Sequence, residues 1–292
     1  MKQSLKADLM LVLVTFFWGT TYVFTKMAVE SLPPLNLVSW RFGIAFAVML
    51  PIFWKRIKNA GRQTVLYSAF LAFPLLLCFV AMTYGVKYTS ASNASFLAGI
   101  SIIFIALGAF IFQGKKPDKK TIFCILLTLA GIALLTLGPD FRIRMGIGDL
   151  LSLSVSLFYG IYVLLLDRYA RQVDPVSLGV MQLGFVAGFS VILSALFESF
   201  VCPSEFRSWV ILLILGIFCT ALAYVMQTVA QKYTTPTHTG IILSLEIVFS
   251  GIFAYLLLGE VLRPINYIGA FLLISAVLIM EIDFGGVKTE VQ

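Results

Sequence analysis

The sequence predicts an all-α membrane protein whose ten transmembrane helices form two inverted five-helix repeats. Three observations carry that expectation: a composition too apolar for a soluble surface, apolar runs of membrane-crossing length along the whole chain, and a second half that repeats the first. Of 292 residues, 60% are hydrophobic and 12% charged, and the mean hydropathy is +0.99. A soluble domain carries roughly a quarter of its residues as charges. Almost nothing is left over here for one.

Runs of about 20 apolar residues suffice to cross a ~30 Å hydrocarbon core. They fall near 8–30, 34–54, 65–86, 91–112, 121–138, 149–168, 175–197, 207–230, 236–258 and 265–282. Each run is continuously apolar, without the alternation of a membrane β-barrel strand. The first follows Lys2 and Lys6 as a signal peptide would, but it continues past ordinary h-region length with no clear cleavage site, and reads as helix one. An even number of crossings puts both termini on one side.

The formal charge of +7 is a matter of topology. Fourteen of the 21 Lys and Arg residues fall on the side of the termini, among them Lys55, Arg56, Lys58, Arg62 and Lys115, Lys116, Lys119, Lys120. Five fall on the other (Lys87, Arg142, Arg144, Arg207, Arg263), while Lys26 and Arg41 belong to the helices. By the positive-inside rule both termini are cytoplasmic. The expected partners are therefore the lipid bilayer and a small-molecule substrate, with a homodimer left open and nucleic acid excluded. Cys78, Cys124 and Cys219 fall within helices and no CxxC spacing occurs, so the cysteines read as small apolar fillers.

The repeat is visible as two ungapped matches, the second offset by four more residues. Residues 8–43 lie over 149–184, with Asp8 on Asp149, Gly19 on Gly160, Pro34 on Pro175, Gly43 on Gly184 and Trp18 on Tyr159. A second match puts "KYTSASNASFLAGISIIF" (87–104) on "KYTTPTHTGIILSLEIVF" (232–249). The units are 1–140 and 141–292. Five crossings per unit invert the second relative to the first, an architecture in which two halves rock about a midplane site. Gly184 and Gly188 form a GxxxG pair suited to close helix approach, with Gly43 and Ala47 as counterparts.

Glu246 is the only ionisable residue in the 21 positions 239–259. An ionised carboxylate in an apolar interior must be neutralised, paired, or turned toward water. Intramembrane ionisable residues mark substrate or ion pathways, and the repeat counterpart of Glu246 is Ser101, so the scaffold's symmetry does not require it. Arg41 is its obvious partner; alternatively its guanidinium holds a substrate carboxylate. Snorkelling to the outer interface is the competing account for both Arg41 and Lys26, and for Lys26 it is the expectation. Trp18, Tyr22 and Lys26 follow i, i+4, i+8 spacing, Tyr159 repeats Trp18, and Tyr224 and Gln227 are one turn apart, with Ser92 and Asn93 opening helix four. Trp18, Tyr22, Asn93, Tyr159, Tyr224 and Gln227 are thus cavity-lining candidates, with helix-to-helix hydrogen bonding as the competing account; Ser152, Ser156, Thr220 and Gln231 share that ambiguity. His238, the one histidine, is expected in water at a helix mouth, and a lone histidine with no GxxxxGKS stretch gives an enzyme, a metal site or a nucleotide-driven pump nothing to build on. No metal and no cofactor are expected.

The motifs "FFWGTTYVFTKMAVESLPPLNLVSWRFGIA", "KYTSASNASFL", "KYTTPTHTGIILSLEIVFSGIFAYLLLGE" and "YIGAFLLISAVLI", in that order and spacing, resemble the EamA-like, ten-helix branch of the drug/metabolite transporter superfamily. The resemblance covers essentially the whole chain. It implies an inner-membrane carrier that moves small metabolites outward, often amino acids or related compounds, through a central cavity between the repeats. Three positions depart from the pattern. Ile247 stands where many relatives have proline, which argues against a helix break near Glu246; Gly114-Lys115 replaces a Gly-Glu pair; and Asn266 replaces a glutamine. The expected function is a secondary transporter exporting by alternating access, proton-coupled through Glu246. A membrane sensor and a lipid-modifying membrane enzyme are the alternatives, the first lacking a soluble output domain and the second a cluster of acidic or His residues at one face.

Overall fold

The structure, a computed structural model, describes residues 2–89, 91–114, 117–136, 146–258 and 263–281, with the backbone alone at 2, 91–93, 113, 135, 136, 254, 258 and 281. Every element among the described residues is helical: α1 (Lys2–Trp18), α2 (Thr21–Ala28), α3 (Pro34–Ile52), α4 (Trp54–Lys58), α5 (Arg62–Tyr88), α6 (Ala91–Gly99), α7 (Ser101–Gln113), α8 (Lys119–Thr136), α9 (Ile147–Ala170), α10 (Pro175–Phe197), α11 (Phe206–Leu213), a π-helical segment (Ile214–Leu222), α12 (Ala223–Gln231), α13 (Pro236–Leu243), α14 (Leu245–Leu258) and α15 (Pro264–Glu281). Eight stretches are long and apolar enough to cross a membrane, and Pro264–Met280 is a shorter apolar helix. The remaining run of the sequence reading is the 18-residue α8.

Local chemistry sets the ends. Proline opens α3, α10 and α13, where its fixed φ fits and its missing N–H costs nothing. Asp174 caps α10 by accepting from the Ser177 N–H at 2.9 Å, and Thr235 caps α13 by accepting from that of His238 at 3.3 Å. Gly114 closes α7 at φ 67°, a left-handed position that disfavours a side chain.

Three expected helices are broken, each deep in the bundle. Helix one breaks at Gly19–Thr20, where a Cβ on Gly19 would lie 2.5 Å from that of Phe249. Helix four breaks at Ile100. Helix nine breaks at Ser244, whose hydroxyl donates to the Ile241 carbonyl at 2.6 Å in competition with the backbone ladder, while the N–H of Ile247 turns back to Ser244. The break beside Glu246 forms without proline at 247.

The helices pack in exchanged pairs. α5 lies on α9, and α1 on α12; α3 packs on α10, and α8 on α15; α6 and α7 meet α9, as α13 and α14 meet α1. One buried cluster runs through most of them, while large apolar side chains such as Phe112 (81% exposed), Phe197 (74%) and Phe271 (68%) face outward, a surface suited to hydrocarbon.

Close approach follows particular glycines. Gly184 lies against the Phe46 ring, with a would-be Cβ 2.7 Å away, but Gly43 and Gly188 face open space, so the GxxxG pair works at one position only. A Cβ on Gly131 would come within 2.9 Å of the Gly269 carbonyl oxygen and 2.8 Å of the Leu273 side chain. Gly131→Ala is therefore expected to part α8 from α15 and cost roughly 1–3 kcal/mol. A lowered melting temperature of the solubilised protein is the readout; an unchanged one contradicts this packing.

Candidate functional site

The broken helices meet around one cavity of about 80 Å³, room for a few water molecules or the polar part of a small ligand. Trp18 and Tyr22 reach it from either side of the α1–α2 break, Arg41 from α3, Tyr159 from α9, Tyr224 from α12 and Glu246 from the first turn of α14. All six of these residues were named from the sequence.

The aromatic walls hold one another at quadrupole-favoured angles. Trp18 packs edge-on to Tyr159 at 5.9 Å between centroids and tilts against Tyr224 at 5.1 Å. Phe79 meets Tyr224 at 5.7 Å and Phe42 at 4.7 Å. The Trp18 indole N–H donates to the Cys219 carbonyl at 2.9 Å, which fixes the ring across the gap between helices.

Arg41 does not snorkel. It is 2% exposed, donates from Nε to the Thr220 hydroxyl and from Nη2 to the Cys219 carbonyl at 3.3 Å, and lies over the Phe79 ring at 4.6 Å. These acceptors belong to the π-helical segment, whose wider turn is a frequent mark of functional sites. Gly216 lets α3 approach there, because a Cβ would stand 3.2 Å from the Arg41 carbonyl oxygen. The guanidinium has hydrogen bonds and a π face, yet no carboxylate within 4 Å among the described residues.

Glu246 likewise makes no hydrogen bond and no ion pair among the described residues, and it lines the cavity. The two charges share one chamber without touching. The carboxylate lines the cavity, and Arg41, held by Thr220 and the Cys219 carbonyl, lines it too.

Other expected residues take different places. Gln227 is fully buried behind the wall, donating to the Tyr159 hydroxyl at 2.9 Å, so it positions a lining ring and does not line the cavity itself. Gln231 reaches the Val163 carbonyl, the helix-to-helix account, whereas Ser152 and Ser156 bond to backbone carbonyls of their own helix, which neither account anticipated. The side chain of Asn93 lies outside the described residues. Phe79, the Cys219 carbonyl and the π-helical turn were missed. The nearest sequence signal was Gly216 and Thr220 one turn apart. Cys219 is more than a filler, since its thiol donates to the Phe17 carbonyl at 3.2 Å across the helix-one break.

Two clamps hold the ends of the bundle. At one, the Lys26 ammonium donates to the carbonyls of Val86 at 2.7 Å and Thr89 at 3.2 Å, capping α5 where orphan carbonyls and the helix dipole favour a cation. The Thr89 hydroxyl donates to Asp149 at 2.7 Å. At the other end Arg171, paired with Asp167 at 2.9 Å, donates to the Thr234 carbonyl at 2.6 Å, and His238 meets Asp8 at 3.2 Å. Lys26 is thus a helix cap, and His238 is mostly shielded from water. The two clamps correspond in the sequence repeat, where Thr89 aligns with Thr234 and Asp149 with Asp8.

Among the described residues, a helical bundle with charged side chains in an interior cavity and a hydrocarbon-facing surface has the architecture of a multi-pass membrane protein. Residues 5–137 and 146–282 both match the EamA-like transporter family, and the chain belongs to that family. Similar proteins include an uncharacterized transporter of Archaeoglobus fulgidus, 33% identical over 284 residues, covering 96% of this chain and 87% of that one. The uncharacterized transporter YyaM of Bacillus subtilis is 26% identical over 289 residues, covering 94% and 93%. A solved crystal structure superposes with a TM-score of 0.79 at 18% identity, covering 94% of this chain and 96% of that one, a likeness of fold.

Proposed function

We propose that this protein is a secondary carrier that exports a small zwitterionic metabolite, such as an amino acid, from the bacterial cytoplasm in exchange for protons. Ten crossings would form two inverted halves in the inner membrane, with both termini cytoplasmic. The observation that carries the reading is the unpaired coexistence of Glu246 and Arg41 in one aromatic chamber. A carboxylate suits an ammonium group, a guanidinium suits a carboxylate, and aromatic faces favour the cation. One carboxylate cannot hold a proton and an ammonium ion pair together. Loading the substrate amine would displace the proton, and releasing the amine would readmit it, which is the minimal device for antiport.

Alternating access requires that each end open while the other stays shut, and the corresponding clamps on Thr89 and Thr234 support such a cycle. The carboxylates of Asp8 and Asp167 are buried, so each of their pairs exceeds the roughly 1 kcal/mol of an exposed ion pair, yet each clamp rests on only a few polar contacts that water can replace when its end opens. His238→Ala with Arg171→Gln is expected to release the Asp8–Thr234 end. Labelling of the cavity cysteine Cys78 by an impermeant thiol reagent, added at that end in a Cys202→Ser background, should speed about fivefold. Slower or unchanged labelling contradicts the gating role.

The deciding experiment is counterflow in proteoliposomes preloaded with a mixed cell extract and read by mass spectrometry, with and without a proton gradient. Exchange of one compound and its gradient-driven accumulation support the proposal. Failure of every compound to move under either condition overturns it.

A further inference from the structure

A second concavity lies on the outer surface, where α5, α9 and α10 meet. It encloses about 680 Å³ and is almost entirely apolar. Leu66, Phe70, Phe73 and Leu77 of α5 form one wall at helical spacing, and Ile161, Leu165 and Tyr169 of α9 form the other. From Leu66 to Leu77 is eleven residues, about 16 Å at 1.5 Å per residue. That is the depth of one leaflet of a ~30 Å hydrocarbon core.

The groove has a polar end. Tyr67 and Tyr169 stack there at 4.1 Å, and the Tyr67 hydroxyl accepts from Gln63 at 2.6 Å and donates to Gln172 at 2.7 Å. Aromatic hydroxyls in such a belt are characteristic of headgroup depth. One turn before Leu66 on the same face stands Arg62, and one turn after Leu165 stands Arg168. Both arginines are exposed, and neither guanidinium makes a hydrogen bond or ion pair among the described residues. The nearby acids are already engaged, Asp167 by Arg171 and Asp174 by Arg56 at 3.3 Å.

We propose that this groove binds one anionic phospholipid, an acyl chain lying between α5 and α9 and the phosphate headgroup held by Arg62 and Arg168. Apolar length and charge are both matched: the groove is one leaflet deep, and two free cations sit where the phosphate of a lipid seated in it would lie. A basic pocket between membrane helices selects for negative headgroups. A second copy of this chain would leave both guanidinium groups unanswered, because the same face of the copy is basic too.

Native mass spectrometry of the protein, released from nanodiscs of equal phosphatidylglycerol and phosphatidylcholine, tests the site. The wild type should retain one phosphatidylglycerol in preference to phosphatidylcholine. Arg62→Gln with Arg168→Gln should lower that preference by about fivefold for each arginine, and Ala69→Trp, which fills the groove, should remove the retained lipid altogether. Melting curves of the three proteins establish that they fold. Equal retention of the two lipids by the wild type, or full preference in the double-glutamine variant, overturns the proposal. So does a dimer that Ala69→Trp converts to monomer, since the occupant would then be a second copy. Central-site transport is not part of this readout, so the carrier reading and the lipid site can fail independently.

Discussion

Glu246→Gln is expected to abolish gradient-driven accumulation while leaving the protein folded. Glutamine keeps the shape of the side chain and its place in the first turn of α14, so the cavity survives. It loses the capacity to take up and release a proton, and it loses the charge that would face a substrate ammonium. A hydrogen bond to a charged partner is worth about 1.5–3 kcal/mol, so substrate affinity should fall roughly ten- to hundredfold. Wild-type exchange should vary with pH, and exchange by the variant should not. Counterflow measured across pH in both proteins checks this. If the variant transports at the wild-type rate at every pH and still accumulates substrate on a gradient, Glu246 has no part in coupling.

Much of this was legible because charge in an apolar run is conspicuous. Glu246 stands alone in 21 positions, and its isolation alone pointed to the chamber it lines. The duplication was equally open to inspection, since Asp8 on Asp149 and Thr89 on Thr234 fall in two matching stretches that are each free of gaps. What escaped depends on distances between helices remote in sequence. Nothing near Lys26 announces that α5 ends beside it, with the Val86 carbonyl 2.7 Å from its ammonium, so the sequence alone suggests snorkelling. Gln227 shares helical spacing with Tyr224, but spacing cannot tell a residue at the cavity wall from one behind it. The missing proline at 247 left a break near Glu246 in doubt. A serine hydroxyl and a tight backbone turn make it instead.

The strongest coupling in the molecule is expected between Arg41 and Glu246, although they do not touch. A buried guanidinium held by a threonine hydroxyl, a carbonyl and a ring still carries its whole charge, and an isolated charge in an apolar surround is costly. The opposite charge across the chamber offsets that cost by Coulomb attraction in a medium of low dielectric constant. Arg41→Gln should therefore leave Glu246 uncompensated, and Glu246→Gln should leave Arg41 so, each lowering the melting temperature. The double variant removes both charges together and should be more stable than the sum of the single losses predicts, by about 1–3 kcal/mol of interaction energy. Thermal unfolding of the four solubilised proteins closes the cycle. Transport separates the residues' other duties. Arg41→Lys keeps the charge but loses the planar fork that spans Thr220 and the Cys219 carbonyl, so it should retain most of the stability and lose substrate affinity. Strict additivity across the cycle would mean that the two charges do not sense one another. A zwitterion would then no longer be the natural occupant of the space between them.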